Sequence, residues 1–185
     1  LIVREKTLGL QDVSVATSLN KLGELYNDQE RYGAAEASLR QAFGIVEKVA
    51  GPSHPAYAYV LGNLGLALMG QGRYAEAEPL FRRSLDIREK AFGSDHSVVA
   101  LSLSNLGILQ LEQKQYAEAE AALRRALGIF RRTSGLESLK VARTLENLGV
   151  LYMALERYDQ AEPPLQEALV IWNAVLGDSH RFSIP

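Results

Sequence analysis

The feature that most restricts this chain is that it repeats itself. The segment Arg73–Leu85, RYAEAEPLFRRSL, returns as RYGAAEASLRQAF from Arg31, QYAEAEAALRRAL from Gln115 and RYDQAEPPLQEAL from Arg157, a constant step of 42 residues. Recurrence at a fixed period implies an array in which one supersecondary unit, unable to bury its apolar face alone, stacks on copies of itself. Frames of 42 place units at 10–51, 52–93, 94–135 and 136–177. Residues 1–9 then read as the end of a preceding unit and 178–185 as the start of a following one. The opening LIVREKTLG resembles LDIREKAFG at 85–93, so the expectation is an excerpt from a longer array.

Within a unit the apolar spacing is helical. Ala16, Leu19, Leu22, Gly23 and Tyr26 make one 3.6-residue stripe, and Tyr32, Ala35, Leu39, Ala42, Phe43 and Val46 make a second. Short polar stretches (NDQER, GQGR, EQKQ, LER) separate the two, which predicts a helix hairpin. Gly51, Gly93, Gly135 and Gly177 fall where a helix C-terminus favours glycine and mark the breaks between units. Gly23, Gly65, Gly107 and Gly149 lie mid-helix, where glycine costs about 1 kcal/mol relative to alanine. Their recurrence predicts a close approach of the partner helix, with Ala35, Ala77, Ala119 and Ala161 as the matching small surface. Tyr32 is expected to fill the hairpin turn. Pro79 and Pro163-Pro164 are expected near the first turn of the second helix, where a missing N–H is best tolerated.

Composition then excludes several functions. A net charge of −2 over 185 residues lacks the basic excess of a nucleic-acid binder. The absence of cysteine removes disulfides, thiolate nucleophiles and Cys-based zinc sites. Residues 49–72 carry no formal charge, but prolines and His54 interrupt them and the apolar part is short of the ~20 residues a membrane span needs. No signal-peptide pattern opens the chain, and a cytoplasmic setting is the expectation.

Catalytic readings fail on geometry. His54, His96 and His180 recur one unit apart, about 10 Å or more if each unit adds a helix layer, and so read as linker residues rather than a metal site. Ser18-x-x-Lys21 fits a nucleophile motif only by spelling. Glu76/Glu78 and Glu118/Glu120 are two residues apart and point to different helix faces. The expectation is a chain that is not an enzyme and takes no cofactor.

Leu-Gly-x-x-Tyr/Leu in the first helix and Tyr-x-x-Ala-x-x-x-Leu/Phe-x-x-Ala/Ser in the second resemble the tetratricopeptide repeat (TPR). The longer unit, NLGxL…GRYxEAEPLFxRSLxIREKxFGxDH, is similar to the 42-residue variety of kinesin light chains. The resemblance implies an all-α, right-handed superhelix, an α-solenoid of antiparallel hairpins, with first helices lining a concave groove. It also implies a non-catalytic scaffold that holds a protein or peptide segment.

The groove positions implied are Thr17, Asn20, Lys21, Glu24, Asn27 and Asp28; Tyr59, Gly62, Asn63, Leu66 and Met69; Leu101, Ser104, Asn105, Ile108, Leu111 and Glu112; and Arg143, Glu146, Asn147, Val150 and Met153. Asn63, Asn105 and Asn147 form a ladder that either tracks a peptide backbone with its amides or bonds neighbouring helices. Tyr59, Leu66, Met69, Leu101, Ile108, Leu111, Val150 and Met153 either offer an apolar anchor surface or belong in part to the core. Only Lys21 and Arg143 are basic in the groove, so a carboxylate clamp on a peptide C-terminus is not expected. A structural spacer, self-association through open ends, and a regulatory arm of a larger enzyme are the other roles such an array fits.

Overall fold

In the computed structural model, residues 13–136 and 138–176 are described. Among them are eight α-helices and no strand: α1 (Val13–Asp28), α2 (Tyr32–Val49), α3 (Pro55–Gly70), α4 (Tyr74–Phe92), α5 (Ser97–Glu112), α6 (Tyr116–Ser134), α7 (Leu139–Ala154) and α8 (Tyr158–Leu176). First helices begin at residues 13, 55, 97 and 139 and second helices at 32, 74, 116 and 158, steps of 42 in both series. The flanks assigned to neighbouring units, 1–9 and 178–185, lie outside the described residues, as do Gly177 and His180. The chain divides into two compact units, Leu1–Ser94 and Asp95–Pro185, each holding two hairpins.

In the first unit α1 pairs with α2 and α3 with α4, while α3 also packs on α1 and α2. Val15, Ala16, Leu19, Ala42, Val46, Ala58, Val60, Leu61 and Ile87 form one buried cluster across both hairpins. The second unit repeats the arrangement, with α7 packing on α5 and α6 and with Val99, Leu103, Leu123, Ile129, Phe130, Val141 and Leu145 buried.

The mid-helix glycines are where the hairpins close. A Cβ on Gly65 would stand 2.6 Å from Phe81 Cε1, one on Gly107 2.8 Å from Leu123 Cγ, and one on Gly149 2.5 Å from Leu165 Cδ2. On Gly23 it would collide with the Leu39 side chain. The space a methyl would take is thus filled by the large residue four positions after each alanine of the second helix, not by the alanine itself. Ala35, Ala77, Ala119 and Ala161 are buried beside this contact. Tyr32 also departs from expectation. Its ring lies where a side chain on Gly70 would be, so it packs on the last turn of α3 in the next hairpin.

The hairpin turns share a backbone device that spelling conceals. Glu30, Gly72, Lys114 and Glu156, again 42 apart, have φ of 57°, 73°, 61° and 57°. Each ends its helix with a pair of C-terminal hydrogen bonds, as in Lys114 N to Leu111 O (2.9 Å) and Gln115 N to Gln110 O (2.8 Å). This is the Schellman pattern, whose left-handed residue is usually glycine. Gly51, Gly93 and Gly135, with φ of 82–83°, stand at the breaks between hairpins, where a positive φ favours glycine.

Pro79, Pro163 and Pro164 lie one turn further into α4 and α8 than expected. A proline there removes an i→i−4 hydrogen bond. Pro79 and Pro163 are exposed, so water can reach the carbonyls they release.

Polar contacts tie one hairpin to the next. Glu36 on α2 accepts from Gln71 Nε2 (3.0 Å) and Arg73 Nη1 (2.7 Å) at the α3–α4 turn and pairs with Arg40 on its own helix (2.7 Å). Burial works to raise its pKa, but the Gln71 and Arg40 hydrogen bonds and the charges of Arg40 and Arg73 outweigh it and hold the carboxyl below its ordinary value. Glu120 occupies the equivalent place on α6, accepting from Tyr152 Oη (2.9 Å) and Arg124 Nε (2.8 Å).

Two substitutions probe this framework. Gly65→Leu is expected to lower unfolding stability by roughly 1–3 kcal/mol or more through overpacking on Phe81; an unchanged denaturation midpoint would remove the close-approach account. Lys114→Gly is expected to raise stability by about 0.5–1 kcal/mol, because a side chain is strained at positive φ. A lower midpoint in chemical denaturation would show that the turn does not carry that strain.

Candidate functional site

Folding by these contacts leaves one face of each first helix uncovered. Tyr59 on α3, Leu101 on α5 and Val150 and Met153 on α7 are 43%, 42%, 45% and 43% exposed. Leu66, Met69, Ile108 and Leu111 are half-buried, so the apolar residues singled out from sequence divide between surface and core flank.

In the first unit Asn63 is engaged by its neighbour. Its Nδ2 donates to Asn20 Oδ1 on α1 (3.2 Å), and its backbone carbonyl accepts from Asn27 Nδ2 (2.9 Å). At this rung the ladder bonds the adjacent first helix. Beside it lies a residue that the sequence reading did not select. Arg88 of α4 is 3% exposed, and its guanidinium stacks 4.8 Å from the centroid of the Tyr59 ring. Burial pushes its pKa down, with Tyr59 opposing the shift. The repeat column offers a signal for it, since the equivalents are Val46, Phe130 and Trp172. Gly62, where the other units carry Asn20, Ser104 and Glu146, leaves the space that Arg88 Nη2 and Ser84 Oγ approach.

The second unit brings the expected residues together. A cavity of about 80 Å³ is lined by Leu101, Ser104, Asn105 and Ile108 of α5, by Lys140, Arg143, Thr144 and Asn147 of α7, and by Phe130 of α6. Each first helix contributes an i, i+3, i+4, i+7 stripe, one continuous helix face. Five of the residues singled out from sequence as partner-binding (Leu101, Asn105, Ile108, Arg143 and Asn147) meet here. Lys140, Thr144 and Phe130 were not selected. Lys140 and Thr144 were detectable as members of the Arg143–Asn147 stripe, whereas Phe130 belongs to a second helix and closes the cavity only through tertiary packing. Lys140 Nζ lies 5.8 Å from the Phe130 ring centroid. Glu112 and Glu146 do not line this cavity.

Val150 and Leu111 lie outside the cavity. Met153 faces a separate, more open recess of about 360 Å³, formed with Tyr158, Ala161, Glu162, Leu165, Gln166 and Leu169 of α8.

The recurring histidines have a local task. His54 Nδ1 accepts from Ala56 N (3.1 Å) and His96 Nδ1 from Val98 N (3.3 Å), capping α3 and α5. In the linker without a histidine, Ser138 Oγ accepts from Lys140 N (3.2 Å) and caps α7. Among the described residues no group of three or more His, Cys, Asp or Glu is placed to hold a metal ion, and no helix is long and apolar enough to cross a membrane.

The fold defines a helix-hairpin repeat protein. A tetratricopeptide repeat model matches residues 14–68 and 58–132, and a second tetratricopeptide repeat model matches 141–181. The chain belongs to the tetratricopeptide repeat family. Comparison with curated proteins finds no match.

Solved structures agree in fold. BtubC (BKLC) from P. vanneervenii superposes with a TM-score of 0.77 at 22% identity, covering 90% of this chain and 66% of that one. A putative kinesin light chain from Podosopora anserina, with nearly identical TPR-like repeats, gives 0.76 at 24% identity, over 91% and 80%. A Rap protein complexed with competence and sporulation factor gives 0.77 at 17% identity, over 87% and 44%. The chain therefore spans about two thirds of the BtubC protein and less than half of the Rap protein.

The capping role is open to direct measurement. His54→Ala is expected to cost about 1 kcal/mol of stability and His54→Asn much less, because asparagine also accepts at an N-cap. Equal losses for the two would rule out capping as the reason for histidine here.

Proposed function

We propose that the chain is a binding scaffold that holds a protein or peptide segment along the exposed face of its first helices. The observation that carries this reading is the exposure of Tyr59, Leu101, Val150 and Met153, one or more on each of α3, α5 and α7. Large apolar side chains cost least when buried, and exposed ones mark a candidate partner surface in each unit by itself, Tyr59 in the first and Leu101, Val150 and Met153 in the second. Asn105 and Asn147 supply amides that make no side-chain hydrogen bond among the described residues and so can hold a backbone. Asn63 and Arg143 flank these surfaces, and Leu66, Met69, Ile108 and Leu111 support them from the half-buried side. The Rap protein noted above was solved in complex with competence and sporulation factor, which is consistent with ligand holding by this fold. Binding of this kind requires neither catalysis nor a cofactor.

The test is a random-peptide display selection. The chain is expected to enrich a shared motif, and a Leu101→Ser/Asn105→Ala/Asn147→Ala variant of unchanged helicity is expected to lose it. Absence of enrichment, or enrichment indifferent to these substitutions, would move the reading to a spacer or self-association module. Light scattering across concentrations would then show assembly.

A further inference from the structure

We propose that the outer face of α8 in one copy of this chain receives α1 of a second copy, joining the two head to tail through a contact built like the one between α2 and α3. The surfaces involved are separate from the exposed first-helix face, so the inference goes beyond the scaffold reading.

The α2–α3 junction shows what such a contact requires. Tyr32 of α2 packs on the last turn of α3 at Gly70, and Phe43 stacks on Tyr57 with ring centroids 4.9 Å apart. Glu36 accepts from Gln71 and Arg73 at the α3–α4 turn. Between Tyr57 and Gln71, on one stripe of α3, lie Val60, Leu64 and Ala67, all buried.

Each half of that junction recurs with its apolar surface uncovered. On α8, Tyr158, Glu162 and Leu169 stand three repeat steps after Tyr32, Glu36 and Phe43. They line the open recess of about 360 Å³, and Tyr158 and Leu169 are 66% and 59% exposed. On α1, Ser18, Leu22 and Leu25 stand one step before Val60, Leu64 and Ala67. Leu25 is 49% exposed where Ala67 is fully buried. Asp28 takes the place of Gly70, and the exposed Tyr158 ring has room to turn aside from it.

Two polar details select a second copy over any other apolar partner. The first is a charge match. Gln29 and Arg31 repeat Gln71 and Arg73, including the bond from arginine Nη1 to glutamine Oε1, at 3.2 Å and 3.5 Å. Glu162 repeats Glu36, but its own helix supplies Gln166 in place of Arg40 (2.8 Å), and among the described residues it pairs with no cation. Arg31 of a second copy would meet it with a charge-assisted bond, as Arg73 meets Glu36. The second detail is Trp172, whose Nε1 is buried with no hydrogen-bond partner among the described residues. A buried indole N–H normally has one. Its counterpart Phe130 shares a cavity with Lys140 and Thr144 of the next first helix, and the matching residues on α1 are Ser14 and Ser18. Ser18 Oγ donates to Ser14 O (3.0 Å), which leaves its lone pairs to accept from the indole.

The experiment is analytical ultracentrifugation of the chain across concentrations, paired with fluorescence of Trp172, the only tryptophan. A head-to-tail contact leaves one free end of each kind, so mass is expected to rise with concentration past the dimer. The emission of Trp172 is expected to shift in step with it. Glu162→Arg or Arg31→Glu is expected to weaken association about tenfold. The chain carrying both is expected to regain it, an outcome that a structural role for either residue would not produce. The Leu101→Ser/Asn105→Ala/Asn147→Ala chain is expected to assemble like its parent. Three results would overturn the inference: a monomer at every concentration, a dimer indifferent to Arg31→Glu, or assembly lost with the Leu101 triple substitution. The peptide selection reads a different surface, so each of these outcomes is distinguishable from failure of the scaffold reading.

Discussion

Each hairpin depends on one contact, a large side chain of the second helix seated in the space left by a glycine of the first. Gly23 receives Leu39, Gly65 receives Phe81, Gly107 receives Leu123 and Gly149 receives Leu165. This contact sets the rotation of the first helix as well as its distance from the partner. With the glycine turned inward, a residue two positions earlier lies about 160° around the helix. That residue is Lys21, Asn63, Asn105 or Asn147, so in three helices the tripeptide Asn-Leu-Gly sets the packed side and turns its asparagine away from the hairpin partner. The loss of helix propensity at glycine is offset by burial of Leu or Phe, and the exposed face follows from the geometry.

How much of this was legible depends on whether a contact repeats. Helix hairpins, polar turns and the glycines between units were visible because four copies carry the same residue types. The left-handed turn residue was not, since only Gly72 is a glycine while Glu30, Lys114 and Glu156 hold the same conformation. There the hydrogen-bonded closure of the turn overrides residue preference. The prolines show the opposite error, in which local preference was given too much weight. Pro79 is accommodated in the second turn of α4, on an exposed face.

Residues that break a repeat column were harder still. Arg88 stands where Val46 and Phe130 are core residues, and its place under Tyr59 depends on Gly62 leaving room. His54, His96 and Ser138 differ in type yet all cap a first helix, so the eroded third linker keeps its function through a different acceptor. The cavity of the second unit was half legible. The two helix stripes could be read from spacing, but Phe130 closes it from another element and the unpartnered Ser104 hydroxyl is a fact of packing.

Charge is distributed by the same geometry. Second helices carry Glu-x-x-x-Arg pairs, and Glu36, Glu78 and Glu120 hold Arg40, Arg82 and Arg124 along the helix surface. Glu36 also reaches Arg73 at the turn of the following hairpin and Glu120 the Tyr152 hydroxyl on α7, so these carboxylates join neighbouring hairpins as well as balancing local charge. Such pairs are individually weak when exposed, but they leave little net field on the helices that bear them. First helices follow a different rule, because the position four residues before Arg143 is Leu139. An arginine there has no acidic neighbour on the preceding turn to close on. Lys140 and Arg143 therefore share one stripe of α7 along which no carboxylate stands between them.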